Sequence, residues 1–382
     1  YMSKRNLEQL TLAASLISKA ERPLIYAGGG IIASKTGHLL TQLAKENSIP
    51  VATTLMALGC FPEDHELSLG MLGMHGAWTA NMAMQECDVL IALGARFDDR
   101  VTSKIEGFSP KSVKIHIDVD ENVIGQNVPV EIGVCSQLEP ALTTLVGQVK
   151  RPSTNRTPWL DQVERWKNSH PLEFDRDSKF LKPQAVIEKL SGITPDDTFV
   201  VTDVGQHQMW AAQFFEFRRP GSFVTSGGLG TMGFGLPAAI GVQLASPESS
   251  VVCISGDGGF RMTAGELSTA VEQRLPLKIF VFNNSSLGMV RQWQNMFYNE
   301  RINSTILQQS NPDFLKLAES YGVPSFRMLK NQDVDSVLKS AFAINDRPVL
   351  VECIIDPEED VFPMVSPGAN LDEMVEWKDQ MM

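Results

Sequence analysis

An aspartate set in a glycine turn, and an asparagine pair downstream of it, are the residues of this sequence best suited to chemistry. The run SVVCISGDGGFRMTAGELSTAVEQRLPLKIFVFNN holds Asp257 between Gly256 and the pair Gly258 and Gly259, and it closes on Asn283 and Asn284. Either half alone is a common turn or strand end. Together they read as two successive strands of a right-handed βαβ unit, whose carboxyl ends lie side by side, so Asp257 and Asn284 are expected to approach each other. Neighbouring strands are about 4.8 Å apart, which lets a single hard cation bridge one carboxylate and one amide oxygen. Two side chains make no complete cage. Mg²⁺ held this way fills its shell with water and phosphate oxygens, so the pattern points to a cation that tethers a phosphorylated ligand. Thr263 and Glu266 are spaced as a capping box and are expected to start the intervening helix.

Two more loops suit the same ligand. In TFVVTDVGQHQMW a strand turns into a helix, placing Gly205, Gln206 and His207 at a helix N-terminus, where free N–H groups and the macrodipole favour phosphate. His207 is either an added donor or a partly exposed cap. The run GGLGTMGFG, Gly227 to Gly235, lets backbone approach a flat ring closely, and Met232 within it is a large apolar side chain, a core residue or a support for that ring. Downstream of Asn284, Met289, Val290 and Trp293 share one helical face, which is core or a binding wall. Earlier in the chain, Gly28-x-Gly30-x-x-Ala33 after a strand imitates a dinucleotide fingerprint, but no acid ends the next strand, which disfavours an ordinary NAD site. Asp118 and Asp120 at a strand end are hydroxyl acceptors or solvated carboxylates.

The elements that must position these residues form two series. From residue 23 to about 145, PLIYAGG, IPVATTLM, CDVLIALGA and VKIHIDVD alternate with helical patterns, and a second series, TFVVTD, SFVTS, SVVCISG, LKIFVFNN, SFRML and PVLVECII, follows. Both predict a doubly wound parallel sheet, so the fold class is α/β with two such domains. Residues 1–150 form the first, 151–182 a linker carrying a helix with the apolar stripe Trp159, Val163 and Trp166, 183–356 the second, and 357–382 a tail or lid without strand pattern. At 382 residues the chain is long enough for two cores. The net charge of -12, with no basic cluster, argues against a nucleic-acid groove. Membrane insertion is also disfavoured, because the longest uncharged stretch, Pro220 to Pro247, contains three prolines and seven glycines. No signal or transit pattern is read at the start, and an odd set of five widely spaced cysteines fits thiols in a reducing, bacterial cytoplasm.

The GDG and NN motifs match the signature of thiamine diphosphate enzymes. Across essentially its whole length the chain resembles the catalytic large subunit of the acetohydroxyacid synthase (acetolactate synthase) family, beginning at that family's middle domain, through YAGGGI, TTLMALG, MLGMHG, GARFDDRV, HIDVDENVIGQN and SSLGMVRQWQ. The resemblance implies three cofactors: thiamine diphosphate, Mg²⁺ and FAD. Asp257, Asn284 and the Ser286 carbonyl are the implied metal ligands. Gly205, Gln206, His207, Gly256, Gly258, Gly259, Gly288 and Met289 are the implied diphosphate neighbours, with the Gly230 carbonyl receiving the aminopyrimidine and Met232 bending the cofactor. For FAD it implies Gly28, Gly29, Gly30, Thr54, Leu55, Met56, Leu72, Gly73, Met74, His75, Gly94, Arg96, Asp98, Arg100, Asp118 and Asp120, whereas Gln137 departs from the aspartate that relatives often carry.

The activity so implied is decarboxylation of pyruvate and condensation of the two-carbon unit with pyruvate or 2-oxobutanoate, giving acetolactate or acetohydroxybutyrate for branched-chain amino acids. Met232, Met289, Trp293 and Arg100 are its implied catalytic residues, Trp293 selecting 2-oxobutanoate and Arg100 binding the acceptor carboxylate. Since no redox change is involved, FAD is expected to be structural. A homodimer or tetramer and a small regulatory subunit are the expected partners, with no nucleic acid and no membrane. Relatives carry a further N-terminal domain with a glutamate that protonates the aminopyrimidine. Without a counterpart in this sequence, weak cofactor binding and poor turnover are expected of the chain alone. A noncatalytic flavin-binding or assembly module, and a pyruvate oxidase or glyoxylate carboligase, are the alternatives.

Overall fold

A computed structural model describes residues 2–150 and 154–377. The first sheet contains β1 (Pro23–Ala27), β2 (Val51–Thr53), β3 (Ser68–Met71), β4 (Val89–Leu93), β5 (Val113–Asp118) and β6 (Ile132–Cys135), in the order β3-β2-β1-β4-β5-β6. The second contains β7 (Phe199–Thr202), β8 (Phe223–Thr225), β9 (Val251–Gly256), β10 (Lys278–Asn283), β11 (Ser325–Met328) and β12 (Val349–Ile354), in the order β11-β12-β10-β9-β7-β8. Every pairing in both sheets is parallel. The central strands are near-continuous apolar runs because helices cover both faces. PLIYA, VLIAL and KIFVFN are buried at every position. Each sheet thus separates two apolar layers, and the class is the expected pair of parallel α/β sheets.

Strand order places the crevices. The first sheet reverses direction between β1 and β4, and the second between β7 and β9, so the loops leaving those strands flank the two switch points where α/β folds bind ligands.

Several local expectations are corrected. The strands β3 and β6 are absent from the runs read in the sequence; both are four residues long, contain a glycine and lie at sheet edges. Thr263 caps nothing. The helix begins at once after β9, as Asp257–Thr263 with Gly256 as its cap, and the Thr263 hydroxyl donates instead to the Gly233 carbonyl at 3.2 Å. The helix read within 151–182 is present as Thr157–Ser169, and it packs on the first domain: Trp159 and Val163 are buried in a layer of the first sheet, and Trp159 Nε1 donates to Pro23 O at 3.1 Å. The tail contains a small antiparallel pair, Met364–Val365 with Met374–Val375, and crosses to the first domain, where Val365 N donates to Met74 O at 2.8 Å. Residues of the tail beyond 377 lie outside the described residues. Among the described residues no helix is long and apolar enough to cross a membrane; Pro220 to Pro247 divides into β8, a glycine loop and the helix Gly235–Ala245.

Candidate functional site

The switch point of the second sheet is built around a residue that the sequence reading passed over. Asp203, fully buried at the end of β7, accepts from Val204 N at 2.9 Å, Gly233 N at 3.1 Å and Gly235 N at 2.8 Å. One carboxylate therefore pins the glycine-rich loop 227–235 over the tips of β7 and β9. Gly259 is required beside it, because a Cβ there would stand 2.1 Å from Asp203 Oδ1. An acid closing the apolar strand TFVVTD was the available signal.

Gly205 (φ +149°) caps the helix Gln206–Phe214, and the buried His207 packs against the backbone of both strand tips. Its Nδ1 would lie 2.9 Å from a Cβ on Gly256, and its Nε2 has no partner. Burial pushes the His207 imidazole down to about 4, against the opposing pull of Asp203, so the ring is neutral at neutral pH.

The register of β9 with β10 aligns Gly256 with Phe282, which brings Asp257 and the asparagine pair to adjacent tips as predicted. Asp257 is buried, and desolvation raises its carboxyl to about 6 although Asn311 Nδ2 donates to Oδ2 at 2.6 Å. Asn284 Oδ1 accepts from Ser286 N at 3.2 Å and from its hydroxyl at 3.1 Å, while Nδ2 donates to Gln206 Oε1 at 3.2 Å. Ser286 forms an isolated antiparallel bridge with Ile306 whose bonds run through its neighbours, Leu287 N to Thr305 O and Leu307 N to Ser285 O, so its own carbonyl is outside that ladder. Around these groups lies a cleft of about 60 Å³ lined by Gly205, Gln206, His207, Met232, Gly256, Asp257, Gly258, Gly259, Asn284, Ser286, Gly288 and Met289. The Met232 methyl lies over Gly258, 3.5 Å from where a Cβ would stand.

Beside the cleft, sharing Val204, Gly205, Met232, Met289 and Val290 with it, a cavity of about 1540 Å³ opens between the two sheets. Gly230, Trp293 and Arg100 line it, as do Gly28, Gly29, Gly30, Thr54, Leu55, Met56, Leu72, Met74, His75, Gly94, Arg96, Asp98, Asp118 and Asp120.

Two family profiles match this arrangement: the thiamine pyrophosphate enzyme central domain over residues 10–145, and the thiamine pyrophosphate enzyme C-terminal TPP binding domain over residues 203–353. The chain belongs to the thiamine pyrophosphate enzymes. Within that family it is 46% identical over 375 residues to the probable acetolactate synthase large subunit of Methanocaldococcus jannaschii, covering 96% of this chain and 63% of the relative. It is 41% identical over 375 residues to the acetolactate synthase large subunit of Cyanidium caldarium, covering 97% and 64%. With the acetolactate synthase of Mycobacterium bovis it shares 43% over 380 residues, covering 97% and 62%. The chain therefore spans just under two thirds of the length of these curated relatives.

In this thiamine pyrophosphate enzyme one flavin candidate stands apart. Gly73 does not line the cavity. Its N–H donates to Asn81 Oδ1 at 2.8 Å, its carbonyl accepts from Asn81 Nδ2 at 3.0 Å, and its φ of +107° serves a buried turn packed on the Arg100 carbonyl. Conversely, Tyr26, Gln208, Ser226, Leu229, Phe297, Tyr298 and Arg301 line the cavity without having been singled out. Tyr26, Gln208 and Leu229 lie within the quoted motifs, but nothing in their own type or spacing marks them for the cavity, which forms only when the chain folds. Tyr26 Oη, Thr54 Oγ1 and His75 Nδ1 lie buried in its wall without a partner. Among the described residues no cluster of three His, Cys, Asp or Glu side chains is set to hold a metal, which leaves the acid, amide and carbonyl set at the β9 and β10 tips as the candidate.

Proposed function

We propose that the cleft holds thiamine diphosphate through Mg²⁺ and that the native protein is a carboligase, condensing a two-carbon unit from pyruvate with pyruvate or 2-oxobutanoate to give acetolactate or acetohydroxybutyrate. The observation that carries this is the convergence of Asp257, Asn284 and Ser286 on one cleft with a partnerless buried His207 Nε2. A carboxylate, an amide oxygen and a carbonyl are hard donors suited to Mg²⁺ with phosphate completing the shell. At Gly256, Gly258 and Gly259 a Cβ would strike His207, Leu287 and Asp203, so the close packing of the turn beside the cleft depends on glycine. When bound, thiamine diphosphate supplies the carbon nucleophile and the electron sink.

The residues divide the remaining work. Gly205, Gln206 and His207 present the start of a nine-residue helix to phosphate. Met232 supports the cofactor from the pinned glycine loop, and Gly230 offers its carbonyl. Met289 and Trp293 wall the substrate end, and Arg100, whose guanidinium has no side-chain partner among the described hydrogen bonds, is free to receive the acceptor carboxylate. FAD is assigned to the first-sheet side of the cavity. There Gly28 and Gly30 pack onto Gly94, a Cβ on Gly28 lying 2.1 Å from Gly94 O, and the partnerless Tyr26 and Thr54 hydroxyls are available to a ligand.

A homodimer or tetramer and a small regulatory subunit belong to the same reading, supported by the relatives' designation as large subunits. Cytoplasmic residence is supported by five unpaired cysteines. Acetolactate formation from pyruvate by the native polypeptide carrying this sequence, dependent on Mg²⁺ and thiamine diphosphate, is the expected result. Absence of product with Mg²⁺, thiamine diphosphate and FAD all present defeats the reading.

A further inference from the structure

The cation ligands have supports of their own, and one of them lies outside the cleft. Asn311 Nδ2 donates to Asp257 Oδ2 at 2.6 Å. On its other side Arg261, one turn along the helix that Asp257 begins, donates from NH1 to Asn311 Oδ1 at 3.4 Å and to Ser310 Oγ at 2.9 Å. A guanidinium only donates and an ionised carboxylate only accepts, so the amide can face them in one orientation alone. Asn311 therefore always presents its N–H to Asp257.

The backbone that carries Asn311 also closes on the second ligand strand. Leu307 N donates to Ser285 O at 2.7 Å and Thr305 O accepts from Leu287 N at 2.8 Å, flanking Ser286. Ser310 N and Asn311 N then both donate to Leu307 O, at 2.8 and 2.9 Å, in a turn that returns the chain toward Asp257. Segment 305–311 thus ties the tip of β10 to the tip of β9. It joins the two places that the cation must bridge.

We infer that Asn311 is a positioning residue: held by Arg261, it fixes the carboxylate plane of Asp257 and thereby sets the affinity of the cleft for its divalent cation. This rests on the reading of Asp257 as a cation ligand. Oriented ligands bind more tightly because their rotamer freedom is already restricted, and losing such an outer partner typically lowers metal affinity about 10- to 100-fold.

The test is a Mg²⁺ titration of the whole protein at saturating thiamine diphosphate, followed by quenching of tryptophan fluorescence, since Trp210 lines the cleft and Trp293 the adjoining cavity. Asn311→Leu is expected to raise the half-saturating Mg²⁺ concentration about 10- to 100-fold, with the melting temperature of the metal-free protein unchanged. Arg261→Met, which frees the amide to rotate, is expected to move the midpoint in the same direction by less. An unchanged midpoint in Asn311→Leu overturns the inference. So does a raised midpoint accompanied by an equally lowered metal-free melting temperature, which assigns Asn311 a merely structural role. Failure of the unsubstituted protein to respond to Mg²⁺ and thiamine diphosphate together would instead defeat the cofactor reading itself.

Discussion

Two glycines of the site show how one missing methyl group serves different ends. A Cβ on Gly288 would stand 2.0 Å from Gln206 Oε1 and 2.6 Å from Asn284 Nδ2, the ends of two side chains that can swing away. A Cβ on Gly28 would instead meet the Gly94 backbone, with the carbonyl oxygen 2.1 Å away, which cannot yield without moving the loop after β4. Gly288→Ala is therefore expected to lower the melting temperature less than Gly28→Ala while breaking the Gln206 to Asn284 hydrogen bond and raising the Mg²⁺ requirement for thiamine diphosphate binding at least about tenfold. Gly28→Ala is expected to destabilise by about 1–3 kcal/mol, the usual range for overpacking. Paired melting and Mg²⁺ titrations separate the two, and equal behaviour would refute the distinction. At the substrate end, Trp293 lines the cavity and stacks edge-on against Phe297 at 5.4 Å. One methyl group of discrimination is worth about 1–3 kcal/mol. Trp293→Leu is accordingly expected to shift the acetohydroxybutyrate to acetolactate ratio, in competition between 2-oxobutanoate and pyruvate, at least fivefold toward acetolactate; an unchanged ratio removes Trp293 from acceptor selection.

The helix Gly288–Phe297 that carries Met289 and Trp293 owes its placement to the C-terminal segment. On its far side Arg291 NH2 meets Asp360 Oδ1 at 2.6 Å with both side chains buried, and Gln292 exchanges two hydrogen bonds with the Val361 backbone, at 2.9 and 3.0 Å. Removing one member of a buried pair leaves the other charge without compensation and typically costs about 3–5 kcal/mol, whereas replacing both costs less. Asp360→Ala is expected to lower the melting temperature more than the double change Arg291→Met with Asp360→Ala, and the reverse order would show that the pair is no anchor. Such contacts mark the limit of what the sequence discloses. Continuous apolar runs such as VLIAL and KIFVF announced the inner strands, and the βαβ spacing brought Asp257 beside Asn284, because both depend on local pattern and on the handedness of the crossover. The strand SLGM was not legible, since four residues with a glycine have no period to read. Thr263 misled because the Gly233 carbonyl, distant in sequence, took the hydroxyl that a cap would use. Asp203 went unnoticed for a similar reason: its three N–H partners include two in a loop that only folding brings near.

Across the whole molecule, two titratable groups at the domain junction, the buried His75 and the half-buried Glu63, pull stability in opposite directions with pH. His75, on the first-domain wall of the cavity, is pushed down to about 4 by burial, with a bond to the Pro363 carbonyl opposing and Arg100 adding to the shift. Glu63 in the same domain is raised to about 8 by burial, although Gly59 N at 3.1 Å and Phe217 N at 2.7 Å, the latter from the second domain, donate to its two oxygens. For His75 the folded pKa lies below the unfolded one, near 6.5, so its contribution is intact above 6.5 and is lost as pH falls toward 4, because the unfolded chain then takes up a proton that the folded chain refuses. At about 1.4 kcal/mol per unit, that loss is up to about 3 kcal/mol. For Glu63 the folded pKa lies above the unfolded one, so its contribution is intact below about 4.5 and is lost as pH rises toward 8. Wild-type melting across this range sums both and reveals neither. Differences from variants separate them, since any fixed packing change is independent of pH. His75→Gln should gain on the wild type steadily as pH is lowered from 7 to 4.5, and Glu63→Gln should gain on it as pH is raised from 5 to 8. Two difference curves of the same slope, or two flat ones, would mean that desolvation at the domain junction does not hold His75 neutral and Glu63 protonated.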